Sequence, residues 1–89
     1  MSNQVTLYTM NYCPYCERAK ALLKQRGVTF VEVRVAESDD ATWESLEKKT
    51  GLKTMPQVFL NEGTPSEKII GAYSDLAALD SKDQLASLK

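Results

Sequence analysis

The chain has 89 residues, enough for one hydrophobic core and too few for two, so a single domain over residues 1–89 is expected. It is 43% hydrophobic and 26% charged with few glycines and prolines, which excludes a disordered tail or a repeat array. The net charge is −1 with acids and bases interleaved, so no nucleic-acid partner is expected, and no apolar run nears the ~20 residues that cross a bilayer.

Met1-Ser2-Asn3-Gln4 lacks the charged and apolar regions of a secretory leader, so a cytoplasmic monomer free of membranes is expected. Val5-Thr6-Leu7-Tyr8-Thr9 alternates and is rich in β-formers, which predicts a first strand. Pro14 suits the first position of a helix, making Cys13 its N-cap. That helix continues to Arg26 with Ala19, Leu22 and Leu23 inward, and Gly27 provides a left-handed stop. Val28 to Val35 alternates with Val31, Val33 and Val35 on one face, predicting a second strand.

Ser38-Asp39-Asp40 offers capping oxygens to a second helix through Trp43 and Leu46, ending at Gly51. Thr54-Met55-Pro56 leads into strand Gln57–Leu60, and a polar turn joins it to strand Glu67–Gly71 as an antiparallel hairpin. Ser74 is the expected cap of a last helix beginning Asp75-Leu76, with a break near Ser81. Trp43, Phe30 and Phe59 are read as core, Tyr8 as packing, and Tyr12 as either active-site rim or substrate contact. The order βαβαββα implies an α/β fold: a four-stranded mixed sheet flanked by helices, its first two strands parallel across a right-handed crossover.

The only two cysteines sit in Cys13-Pro14-Tyr15-Cys16, at the first strand–helix junction. A bridge between them closes too short a loop to stabilise the fold much, so the pair reads as reactive thiols. A CxxC at this junction is a thioredoxin-like signature. The first amides of a helix lack partners and carry positive partial charge, so a Cys13 thiolate is held below the free pKa of ~8.5. Cys16 lies one turn along the same face, within reach but deeper in the helix. Cys13 is therefore the expected nucleophile and Cys16 the resolving thiol. Lowering the pKa to about 5 raises the thiolate fraction at pH 7 roughly 30-fold, but falling nucleophilicity cancels most of that gain. What survives is a better leaving group, which favours exchange of disulfides. A zinc half-site lacks ligands, since there is no histidine and no third cysteine. A metal or iron–sulfur site shared across a dimer, and a pair of inert buried cysteines, remain as other readings.

Three stretches resemble the glutaredoxin family over nearly the whole chain: Tyr12-Cys13-Pro14-Tyr15-Cys16, Lys53-Thr54-Met55-Pro56-Gln57-Val58-Phe59, and Ile70-Gly71-Ala72-Tyr73-Ser74-Asp75-Leu76. The length is similar to that of compact bacterial dithiol members. The resemblance implies a thioredoxin-like fold, glutathione as reductant and cosubstrate, no metal, and disulfide-containing or glutathionylated proteins as partners. It also implies a cis Met55–Pro56 bond that sets the Met55 backbone beside Cys13, to pair with the cysteinyl backbone of glutathione. By the same resemblance Tyr15, Thr54 and Pro56 line the groove, Lys53 meets the glycyl carboxylate, and Gly71 allows close approach. The γ-glutamyl carboxylate would meet the amides of Tyr73 and Ser74, and its ammonium Asp75.

Three positions depart from the family pattern. Met10 stands where many relatives carry lysine, Ala72 where they carry a second glycine, and the turn Asn61 to Lys68 is longer than in compact members. Met10 and Ala72 leave open an electron donor reduced by thioredoxin reductase, for instance for ribonucleotide reductase. A dimeric iron–sulfur carrier is the other alternative, and Pro14 counts against it because cluster-specialised relatives usually carry glycine there.

Overall fold

Alternation of β-branched and apolar residues makes Val5–Thr9 the first strand, β1, and Pro14–Gln25 follows as helix α1. The structure is a computed structural model that describes residues 3–88; Met1 and Ser2 of the expected leader-free start, and Lys89, lie outside the described residues. The chain continues as β2 (Phe30–Arg34), α2 (Asp40–Thr50), β3 (Gln57–Leu60), β4 (Lys68–Gly71) and α3 (Tyr73–Ser81), and closes with a 3₁₀ turn at Leu85–Leu88. The sheet order is β2-β1-β3-β4. Val5 pairs with Phe30 in the parallel β1–β2 ladder and with Leu60 in the antiparallel β1–β3 ladder, and β3–β4 is an antiparallel hairpin with a bulge at Val58/Phe59. The expected mixed four-stranded sheet is thus observed, and the predicted break near Ser81 separates α3 from the closing turn.

Local signals set the helix ends. Cys13 caps α1 with Pro14 at the first position, and Gly27 follows the helix at φ +71°, a conformation that suits a residue without Cβ. The Asp39 carboxylate accepts the Thr42 N–H at 3.3 Å to cap α2, which stops at Gly51, φ +76°. Two apolar layers flank the sheet. Val5, Leu7 and Val58 pack with Ala19 and Leu23 of α1, Leu76 of α3 and Leu85 of the closing turn. Complete burial of leucines such as Leu7, Leu23 and Leu76 contributes about 2 kcal/mol each. On the other face Phe59, Val35, Met55 and Leu46 of α2 gather around Cys13 and Cys16.

Two expectations need correction. The second strand is shorter than Val28–Val35, and Val31 and Val33 are 47% and 36% exposed, whereas Val35 is buried. The reason is topological: β2 is an outer strand with a neighbour on one side only, and Val31 and Val33 stand beside their β1 partners Thr6 and Tyr8 at the edge of the sheet. The last helix starts at Tyr73, so Ser74 is inside it and Ala72 is the N-cap. Alanine has no capping oxygen. Asp75 makes the reciprocal half of a capping box instead, its carboxylate reaching back to accept the Ala72 N–H at 2.9 Å.

The turn after β3 is anchored by charge. The Tyr8 hydroxyl donates to Glu62 at 2.7 Å, and the Lys49 ammonium donates to Glu67 at 2.8 Å. Burial, then the Glu62 carboxylate beside it, pushes the Tyr8 phenol up to about 12. Tyr8 also sets its ring edge-on against Phe59, centroids 5.3 Å apart, so the residue packs as expected.

Candidate functional site

The β1–α1 junction brings the two thiols together, and they form a disulfide in this structure. Cys16 donates its backbone N–H to the Cys13 sulfur at 3.1 Å. That is a helix N-cap bond with sulfur as acceptor, the contact that favours a thiolate over a thiol. Cys13 is 6% exposed and Cys16 1%, so Cys13 is the outer residue of the pair. The Met55–Pro56 bond is cis, and the Met55 carbonyl oxygen lies 3.7 Å from the Cys13 sulfur.

Gln57 braces this proline loop, and sequence reasoning gave it no such part. Its side chain is fully buried, with the amide donating to the carbonyls of Leu52 at 3.3 Å and Thr54 at 3.1 Å. Its amide oxygen accepts the Thr50 hydroxyl at 3.1 Å. The only hint in the sequence is an amide side chain at the head of an otherwise apolar strand.

A groove of about 520 Å³ runs past Cys13. Tyr15, Lys53, Thr54, Met55, Pro56, Tyr73 and Ser74 all line it, so these seven predicted residues are brought together from three separate stretches of chain. Gly71 and Asp75 stand just behind, at the head of α3. Gly71 has φ +117°, and a Cβ built there would collide with the Asp75 carboxylate. The Tyr73 and Ser74 amides open the helix with no carbonyl a turn ahead to accept them, which leaves donors for an anion. Ala72 sits in ordinary extended conformation, φ −93°, so its methyl leaves the turn unaltered and instead adds to the groove wall.

One groove residue, Trp43, differs from its reading as core. Trp43 is only half-buried: it packs on the Cys13 layer, donates its indole N–H to the Ala36 carbonyl at 3.0 Å, and lines the groove. Tyr15 is half-exposed, tilted against Tyr73 with centroids 5.8 Å apart, and the Arg18 guanidinium lies 5.2 Å over its ring. Arg18 is one helical turn past Tyr15 on an exposed face, where the sequence pattern shows only a solvated charge. Tyr12 is almost wholly exposed, at φ +56°, so it projects from the rim. Lys53 forms an ion pair with Glu47 across 3.3 Å.

A second hollow, of about 600 Å³, lies between α1 and β2 and contains no thiol. There Lys20 bridges Glu17 at 2.9 Å and Glu32 at 3.3 Å, and Glu32 accepts the Thr9 hydroxyl at 2.7 Å. The Thr9 bond, with help from Lys20 and Arg34, holds the Glu32 carboxyl below its usual range. Among the described residues no group of three or more His, Cys, Asp or Glu side chains is placed to hold a metal, and no helix is long and apolar enough to cross a membrane.

The glutaredoxin family model matches residues 5–63. The chain is 40% identical to glutaredoxin 3 of Escherichia coli (strain K12) over 84 residues, 94% of each chain. Among solved structures it is similar to a Brucella melitensis glutaredoxin, with TM-score 0.79 and 34% identity, covering 96% of this chain and 86% of that one. It is also similar to buckwheat glutaredoxin in a glutathione complex, with TM-score 0.82 and 26% identity, covering 97% of this chain and 76% of that one. The chain belongs to the glutaredoxin family, as a dithiol-type oxidoreductase with a thioredoxin-like fold and a redox-active CxxC pair.

Proposed function

We propose that this chain is a glutathione-dependent thiol–disulfide oxidoreductase that reduces protein disulfides and glutathione mixed disulfides, with Cys13 as nucleophile and Cys16 as resolving thiol. The observation that carries the reading is the Cys16 N–H bond to the Cys13 sulfur at the head of α1. In the reduced enzyme that amide and the helix dipole hold Cys13 as thiolate. The thiolate attacks the glutathionyl sulfur of a mixed disulfide, forming Cys13–S–S–G and releasing the protein thiolate. A glutathione thiolate then attacks the glutathionyl sulfur on Cys13, giving glutathione disulfide and regenerating the Cys13 thiolate. With a protein disulfide, Cys13 forms the mixed disulfide first. The Cys16 thiol loses its proton, attacks the Cys13 sulfur and expels the second protein thiolate, and two glutathiones later reduce the resulting pair.

Met55 supports the reading by offering its backbone to the cysteinyl backbone of glutathione in strand fashion. The Tyr73 and Ser74 amides suit the γ-glutamyl carboxylate, Asp75 the ammonium, and Lys53 the glycyl carboxylate, with Tyr15, Thr54 and Pro56 as walls and Gly71 permitting approach. The buckwheat relative is a glutathione complex, which favours the same assignment. We place the enzyme in the cytoplasm as a monomer, where a dithiol stays reduced. Sedimentation and cell fractionation check both points.

The deciding experiment uses two variants. Cys16→Ser keeps turnover of a small glutathione mixed disulfide and loses reduction of protein disulfides, and Cys13→Ser loses both. Turnover by the Cys13 variant would overturn the assignment. One observation favours a second reading, a donor reduced by thioredoxin reductase: Met10 brings no charge to the groove and Lys53 is already paired. A coupled assay offering each reductant separately distinguishes the two.

A further inference from the structure

Lys53 is the only charged residue lining the groove among the described residues. Gly51, left-handed at φ +76°, ends α2 and turns the chain back, so Lys53 returns beside the last turns of that helix. Trp43 and Glu47 lie one turn apart on one face of α2, and this face meets the returning lysine. Lys53 therefore forms an ion pair with Glu47 across 3.3 Å, and Glu44 lines an adjoining hollow of about 260 Å³ with Trp43, Glu47 and Lys53. One carboxylate, that of Glu47, thus pairs with the ammonium at the end of the groove. The pair is open to water, with Lys53 82% and Glu47 38% exposed, so Lys53 is free to exchange Glu47 for a ligand carboxylate.

We propose that Glu47 is a specificity-determining residue that competes with the ligand for Lys53 and so reduces the groove's preference for thiols ending in a free carboxylate. The inference rests on the glutathione reading above and names what that reading leaves open, the charge at the far end of the ligand. Thiols whose chain continues past that point as an amide, as a cysteine inside a peptide does, are accepted nearly as well as glutathione itself. The competing charge belongs to Glu47 and not to Lys53 alone. Changing Glu47 therefore alters selectivity even though its carboxylate touches no reacting atom.

The test uses the full chain in the Cys16→Ser background, where only one exchange occurs. Two probes are compared: the mixed disulfide of glutathione with 2-mercaptoethanol, and the same compound with its glycyl carboxylate converted to the amide. Mass spectrometry follows transfer of the glutathionyl group to Cys13, and the readout is the ratio of the two second-order rates. Glu47→Gln is expected to raise the carboxylate-to-amide ratio about 2- to 5-fold, the span of an exposed ion pair. The gain should vanish in Glu47→Gln/Lys53→Gln and fade near 1 M salt, where screening acts within ~3 Å. A ratio unmoved by Glu47→Gln overturns the proposal, as does an equal rise with both probes, which would place Glu47's effect on the Cys13 thiolate. If neither probe reacts faster than the symmetric 2-mercaptoethanol disulfide, the glutathione reading itself fails. Fast exchange with both probes and an unmoved ratio sinks only the role of Glu47.

Discussion

Gly71→Ala isolates the device that starts α3. At φ +117° a residue with Cβ is strained by about 1–3 kcal/mol, partly offset by ~0.5–1 kcal/mol from a stiffer unfolded chain. The new methyl also overlaps the Asp75 carboxylate, the free end of a short side chain, so the carboxylate swings away rather than the backbone. The swing breaks its bond to the Ala72 N–H, a cap worth about 1 kcal/mol. The net loss is about 2 kcal/mol, or roughly 10 °C in Tm for a chain of this size. Urea denaturation followed by circular dichroism measures it. A cycle with Asp75→Ala checks the mechanism: because both single changes remove the same cap, the double variant should be about 1 kcal/mol more stable than the sum predicts. Strict additivity, or a Gly71→Ala cost under ~0.5 kcal/mol, would refute the coupling of glycine and cap.

Tyr8→Phe should cost about 1–2 kcal/mol at pH 7 by removing a hydroxyl bonded to a carboxylate. Because the folded phenol titrates near 12 against an ordinary 10, the wild type alone loses this stability as pH rises from 10 through 12, so the two proteins should converge in alkaline denaturation. Glu32 shows the opposite sign. Its carboxyl is held low, so its contribution is present above the ordinary carboxyl pKa and is lost as pH falls through the lowered folded value, and the stability gap to Glu32→Gln should close in acid titration. Asp39→Ala should destabilise the chain by about 1 kcal/mol through loss of the α2 cap, measured by thermal melting, and leave exchange at Cys13 unchanged.

What could be read from the sequence was what nearest neighbours decide. Cys13-Pro14, Gly27, Asp39 and Gly51 announce helix ends because capping and left-handed stops act over a few residues. The seven groove-lining residues were reached through motif resemblance, and the fold brings them together. Long-range placement was not legible. Nothing in Val31-Glu32-Val33 reveals that its strand lies on the outside of the sheet, so alternation alone placed these valines on one face without telling that they are exposed. Ser74 looked like a cap by residue type, but the backbone turns two residues earlier, and Asp75 reaches back to a residue with no polar side chain. Gln57 and Glu47 were missed because each acts through a partner that only the folded loop between α2 and β3 brings near.

The open rim of the sheet has a consequence for solubility. An outer strand with bare valines offers its free backbone to any passing strand and can template edge-to-edge aggregation. On β2 the valines alternate with Glu32 and Arg34, which point to the opposite face and hold charge at the border. A second molecule docking there would have to bury or break that pair, so these two side chains act as gatekeepers against fibril growth as well as bracing the fold.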